Sequence, residues 1–251
     1  MKIICFLSRR PCIDFYNLCK ELINDNTLVF ICVDDNDYNI PGIDDSIKII
    51  KINQKECSNA GYNYMYGHSK IPTARDKALY YFNLIYKNDY KDIWFIEDDV
   101  LIPSKNTISN IDKKYIDNDY LVKDNVIKEN PTKNDGWAFP YILDTTEYRG
   151  VFSTSGIMAI RLSKKMMNAI DMFVKKYEHA FFCEAFFGTV ALNYNISITV
   201  IPELFYMWPM EQSLRKRVNG CYKENNLYHP LKSIARQRQI RDSHNKNIID
   251  K

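Results

Sequence analysis

The chain has 251 residues, 46% of them apolar and 26% charged, and its 34 Lys and Arg against 31 Asp and Glu leave +3 with histidines neutral. That apolar share over that length fills a hydrophobic core, and with only 8 Gly and 9 Pro it excludes a disordered chain, a collagen-like repeat and a disulfide-held miniprotein. The charge is uneven: residues 211–251 hold ten basic against four acidic side chains and residues 1–210 hold 24 against 27, so an acidic body carries a basic C-terminal segment.

The opening MKIICFLSRR has an apolar run too short for a signal peptide or a span, with its basic residues on the wrong side. No later apolar stretch reaches a transmembrane span without a carboxylate interrupting it, and a cytoplasmic location is the expectation. Seven scattered cysteines with no C-x-x-C pair fit buried or idle thiols rather than zinc ligands or a disulfide framework.

Residues 2–7 (KIICFL) form an apolar run that predicts a strand buried on both faces, broken by Ser8-Arg9-Arg10-Pro11. A helical stripe follows over 12–23, then a second strand over 27–33 (TLVFICV) that ends in Asp34-Asp35-Asn36-Asp37, and a third over 47–52. The spacing predicts a helix over 73–86, with Thr73 at the N-cap and Asp76 three residues later as its capping-box partner. A fourth apolar strand over 92–96 runs directly into Glu97-Asp98-Asp99. Strands alternating with helices predict an α/β fold, a single Rossmann-like domain with a mostly parallel central sheet flanked by helices.

Beyond residue 103 the pattern is less regular. Residues 104–135 are polar and predict loop with one short helix; 136–142 (GWAFPYI) are aromatic; 151–161 predict a strand interrupted at Ser155-Gly156. Helices are expected over 163–177 and 178–193, and a closing strand over 196–201. The aromatic LFYMWP at 204–209 leads into the basic segment. The expected organisation is one catalytic domain over 1–210, with a ligand-binding half to 103 and a second half from 104, and 211–251 closing over the site.

Ligands of open α/β sheets bind at the carboxyl ends of the strands. Ser8-Arg9-Arg10, Asp34-Asp35 and Glu97-Asp98-Asp99 all lie there and are expected to converge on one crevice. Three consecutive carboxylates at the end of an apolar strand are costly unless a cation binds them. Alternation projects Glu97 and Asp99 to one side and Asp98 to the other, an oxygen-rich site suited to Mg²⁺ or Mn²⁺ shared with substrate phosphates; a solvated acidic turn is the alternative. Glu184 lies within AFFCEAFF, where a carboxylate needs a dedicated partner or a raised pKa, both of which suit a general base. Its alternative is a polar stripe shared with Glu178 and His179. Arg75, opening the long helix, would add to the pull of the helix start on a phosphate, whereas a capping box alone explains Asp76. Residues 228–232 (YHPLK) predict a helix start with Pro230 at its first position, which would put His229 and Lys232 on one face. His68 is a further candidate ligand, and Trp137, Phe139, Tyr141 and Trp208 are candidates for stacking on a sugar or for the core.

Four stretches in this order, KIICFLSRR, VDD at 33–35, PTARDKALYYF at 72–82 and WFIEDDVLI at 94–102, resemble the GT-A glycosyltransferases. The likeness runs over roughly residues 1–103 and more loosely to 232. The last stretch resembles that family's DXD motif, with Glu97 in the place of the first acid. The resemblance implies a GT-A domain and a metal-dependent transferase that moves a sugar from a nucleotide-diphosphate sugar to a hydroxyl of a glycan or protein acceptor. It further implies Mn²⁺ or Mg²⁺ on Asp99, with His229 as an added ligand and Asp98 between the two motif acids. Leu7, Ser8, Arg9, Asp34 and Asp35 would border the nucleoside, Arg75 and Asp76 would flank the nucleotide, Glu97 would meet ribose or sugar, Lys232 would meet the diphosphate, and Glu184 would be the catalytic base. A sugar nucleotidyltransferase would be expected to carry a glycine-rich basic loop after the first strand, where SRRPCID has no glycine. A nucleic-acid-processing protein is disfavoured by the acidic body and by the modest charge of the basic segment, so no nucleic acid is expected as a partner.

Overall fold

Apolar runs such as 2–7, 27–33 and 92–96 satisfy their backbone groups away from water only as neighbours in a covered sheet. In the computed structural model, which describes residues 1–67, 69–136, 139–206 and 221–249, they are β1 (Lys2–Ser8), β2 (Thr27–Val33) and β4 (Asp92–Glu97), with β3 (Lys48–Ile50) beside β2. These four strands are parallel. The sheet continues through β8 (Ala159–Ser163), β5 (Tyr120–Val122) and β9 (Ile198–Val200), giving the order β3-β2-β1-β4-β8-β5-β9. Only β8 runs against its neighbours, so the chain has an α/β fold with a mostly parallel seven-stranded sheet. A short ribbon of β6 (Val126–Lys128) and β7 (Phe152–Thr154) and a pair of β10 (Leu204–Tyr206) and β11 (Leu227–His229) lie outside it.

The period of two along β1 divides the core. Ile3, Cys5 and Leu7 face a cluster with Ala78 and Leu79 of α3 (Ala74–Tyr80), Phe173 of α6 (Lys164–Tyr177) and Phe186 of α7 (Cys183–Asn193). Ile4 and Phe6 face another with Phe15 of α1 (Ile13–Lys20) and Ile108 of α4 (Thr107–Lys114). Helices thus cover both faces, as a parallel sheet requires. The remaining helices among the described residues are α2 (Gln54–Asn59), α5 (Phe139–Thr145) and α8 (Ile234–Ile249). Among the described residues no helix is long and apolar enough to cross a membrane. All seven cysteines are free, and Cys5, Cys19, Cys32 and Cys57 are buried.

Several elements depart from the sequence expectations. The helix expected over 73–86 ends at Tyr80, and Tyr81–Ile85 widen into a π-turn. Residues 104–135 contain α4 but also β5, an inner strand of the sheet whose three residues are too few to show a period. The strand expected over 151–161 is two, β7 and β8, in different sheets, and the Ser155-Gly156 break separates them. The helix expected from 178 starts at Cys183: Glu178 takes a left-handed conformation that ends α6, and Ala180 N–H bonds to the Gly61 carbonyl instead of entering a helix. The α7 backbone lies close against β7 at Gly188, where a Cβ would overlap the Ser153 side chain; glycine permits that approach. This packing carries the first turn of α7, with Glu184, to the carboxyl end of the sheet.

Candidate functional site

The connection from β1 passes to β2 and β3 on one side, and β4 lies on the other. A switch of that kind opens a crevice at the carboxyl ends of the two diverging strands. There a cavity of about 260 Å³ is lined by Leu7, Ser8, Arg9, Asp34, Tyr66, Arg75, Cys183 and all three acids Glu97, Asp98 and Asp99. A second, of about 660 Å³, shares Arg9 and Asp34 and extends past Asp35, at the end of β2, to Asn53 at the start of α2. A third, of about 380 Å³, is lined by Glu184, Asp124, Ser155 and Tyr206.

The three acids part in two directions. Asp98 accepts from the Ser8 hydroxyl at 2.5 Å, and burial together with the charges of Asp99 and Glu97 raises its pKa against the opposing pull of that bond. Glu97 and Asp99 meet His229, and one donor atom from each lies within 4.8 Å of the others. His229 Nε2 is 3.3 Å from Asp99 Oδ1. Asp99 Oδ1 and His229 Nδ1 are buried without a hydrogen-bond partner, and buried polar atoms in that state cost free energy unless something binds them. Two carboxylates and an imidazole form a donor set suited to Mn²⁺ and compatible with Mg²⁺, so the residues present fit a divalent cation.

Arg75 is almost fully buried and its Nη2 holds Glu97 Oε1 at 2.7 Å. Its Nη1 is buried with no partner, leaving one arm of the fork open. Glu184 sits in the first turn of α7. Burial and the charge of Glu97 push its pKa up to about 7, with Arg75 opposing and Asp124 adding to the rise. A carboxyl poised near neutrality beside an acidic cluster and a cavity has the properties of a general acid or base.

The other sequence candidates fall at different distances from this centre. Leu7 and Arg9 line the crevice. Asp34 borders two cavities, but its Oδ1 accepts from the Ala74 N–H at the start of α3, and burial raises its pKa. Asp35 is paired with Arg10. Asp76 has no exposed surface, and its carboxylate accepts from the Thr73 N–H and hydroxyl and the Met65 N–H, so it closes a capping box. The helix expected at 228–232 is corrected. Tyr228 and His229 belong to β11, because the Tyr228 backbone bonds both ways with Leu101 and Leu231 N–H bonds to the Asp99 carbonyl. Lys232 is therefore exposed in the link to α8 rather than on a helical face with His229. Phe139 is core and Tyr141 is partly exposed. His68, Trp137, Trp208 and residues 207–220 of the basic region lie outside the described residues. In α8, Arg241 bonds the Leu18 and Ile102 carbonyls and Glu21, and Arg238 pairs with Glu21, partners that do not line the crevice.

Sequence reasoning missed Tyr66 and Cys183 on the crevice wall and Asp124 and Tyr206 beside Glu184. Cys183 could have been found from its place next to Glu184. The other three lie in irregular or very short elements and carry no pattern.

No family model matches the chain, and no curated protein sequence does. Solved structures resemble it at low identity. One is the galactosyltransferase LgtC in complex with donor and acceptor sugar analogues, 11% identical at a TM-score of 0.47, covering 97% of this chain and 96% of that one. Another is mouse xyloside xylosyltransferase 1 in its apo form, 7% identical at 0.44, covering 91% and 97%. A third is a glycosyltransferase involved in the glycosylation of the major capsid of PBCV-1, 9% identical at 0.37, covering 97% and 100%. All three are glycosyltransferases, the class that the sequence motifs resemble.

Proposed function

We propose that the protein is a metal-dependent glycosyltransferase that moves a sugar from a nucleotide-diphosphate sugar to an acceptor hydroxyl. The observation that carries this reading is the meeting of Glu97, Asp99 and His229 at the β1–β4 switch point, where Asp99 Oδ1 and His229 Nδ1 are buried and make no hydrogen bond. A divalent cation bound there supplies charge neutralisation to the departing diphosphate. Glu97, Asp99 and His229 would hold it. Arg75 keeps Glu97 aimed through one arm of its guanidinium and offers the other to an anionic or hydroxyl group of the donor. Asp98, anchored by Ser8, together with Leu7, Arg9, Asp34 and Asp35, would border the nucleotide, and Lys232, exposed in the link to α8, would meet the diphosphate. On the opposite side, Glu184 takes the proton of an acceptor hydroxyl seated in the cavity with Asp124 and Ser155. Positioning and fixed charge supply most of the rate.

The test is release of nucleoside diphosphate from a panel of nucleotide sugars, with Mn²⁺ or with EDTA. Turnover is expected only with metal, and Asp99→Asn should lower it by about 100-fold or more, roughly 2.7 kcal/mol of barrier. Turnover indifferent to EDTA would remove the metal from the reading, and a panel with no turnover and no bound Mn²⁺ would remove the function.

A further inference from the structure

The cation cluster is assembled from two stretches of chain that meet only in the folded molecule. One is the segment after β4, which carries Asp99; the other is β11 and the turn after it, which carries His229. Backbone bonds join them: Leu101 N–H to the Tyr228 carbonyl at 2.8 Å, Tyr228 N–H to the Leu101 carbonyl at 3.2 Å, and Leu231 N–H to the Asp99 carbonyl at 2.7 Å. A side chain from a third element closes the arrangement. Gln237 of α8 is 2% exposed, and its Nε2 donates both to the Asp98 carbonyl at 3.0 Å and to the Leu231 carbonyl at 2.8 Å.

A buried carboxamide nitrogen has two N–H donors to satisfy. Here one goes to each of the two stretches, next to Asp99 on one side and two residues past His229 on the other. From these bonds we infer that Gln237 is a positioning residue that sets the separation of Asp99 and His229, and hence the affinity of the cluster for a divalent cation. It touches neither cation nor substrate; it acts through the backbone that carries both ligands. The inference rests on the proposed metal-dependent function.

The same helix offers a control. Ile240 packs in an apolar cluster with Leu101, Tyr222, Tyr228 and Leu231, so Ile240→Ala removes apolar contact between α8 and the same stretches without deleting either Gln237 donor. Buried supports of metal ligands typically cost 10–100-fold in metal affinity when removed. Gln237→Leu removes both bonds and keeps the bulk.

The experiment compares wild type, Gln237→Leu and Ile240→Ala by Mn²⁺ binding, read from the free-Mn²⁺ electron paramagnetic resonance signal. Amide hydrogen exchange of the metal-free proteins over residues 97–101 and 228–231 gives a second readout, and thermal unfolding confirms that each variant is folded. In Gln237→Leu, Mn²⁺ affinity is expected to fall 10-fold or more and exchange in both segments to accelerate, whereas Ile240→Ala lowers the melting temperature with affinity changed less than twofold. Affinity within twofold of wild type in folded Gln237→Leu overturns the inference, as does an equal loss in Ile240→Ala. If wild type binds no Mn²⁺, the metal reading fails, and exchange still judges Gln237: unchanged protection over 97–101 rules out a positioning role.

Discussion

Glu184 couples the site to pH. Its carboxyl ionises near 4.5 when unfolded and near 7 in the fold because burial and Glu97 disfavour its charge. Between those values the folded state holds the proton more tightly, so this residue's contribution to stability is fully present below about 4.5 and is lost as pH rises toward 7. Glu184→Gln removes that loss. Its melting temperature should match wild type at pH 4 and exceed it at pH 8, and an equal offset at both would contradict the raised pKa. In the proposed transfer Glu184 acts in its ionised form, so wild-type turnover should climb through about pH 7, while the Gln variant should retain donor binding and lose turnover. The carboxylate's apolar neighbours in AFFCEAFF made its unusual environment legible. Its nearness to Glu97 was not, because the two lie on elements far apart in sequence and only the packing of α7 on β7 joins them.

At the scale of elements, α4 is held to the sheet by a buried ion pair. Asp112 of α4 accepts from Arg161 Nη1 of β8 and from the Trp94 indole of β4, each at 3.0 Å, and from Lys2 of β1 at 3.0 Å. The Arg161 guanidinium, with no exposed surface, also bonds the Tyr115 and Asn118 carbonyls after α4. Removing one partner of such a pair strands the other charge in the interior, so Arg161→Met should cost about 3–5 kcal/mol in urea unfolding. A loss below about 1 kcal/mol would show that water reaches Asp112. Elements with a clear period were readable: β1, β2, β4, α6 and the capped start of α3 follow from apolar spacing and from Thr73 and Asp76. Short elements were not, because β5, β7, β10 and β11 have three residues each and owe their conformation to neighbours. The strand at His229 is the instructive case: its local signal, a proline after a polar residue, suits a helix start, and the bonds to Leu101 overrule it.

For the whole molecule, a cation held by the acid cluster would link its binding to folding. A ligand that binds only the folded state adds about 2.7 kcal/mol at 100 times its dissociation constant, which in a chain of this size raises the melting temperature by roughly 5–10 °C. Mn²⁺ should produce that shift, EDTA should reverse it, and Asp99→Asn should abolish it; a shift that survives the substitution would place the cation elsewhere. The charge asymmetry of the sequence takes a different meaning at this scale. The acidic body does concentrate carboxylates at one crevice, but two arginines of the basic segment, Arg238 and Arg241, fasten α8 to α1 and to the segment after β4.

The sequence by itself determined the α/β alternation, the parallel core strands and the placing of three acids at the end of β4, because apolar period and strand-end chemistry are local properties. Only the tertiary structure decided that Asp99 meets His229, that Arg75 leaves one buried arm open beside Glu97, that Asp76 is consumed by its cap, and that Gln237 ties the two ligand-bearing stretches together. Those outcomes depend on which distant backbone groups are left needing partners once the sheet has formed, and no window of neighbouring residues contains that information.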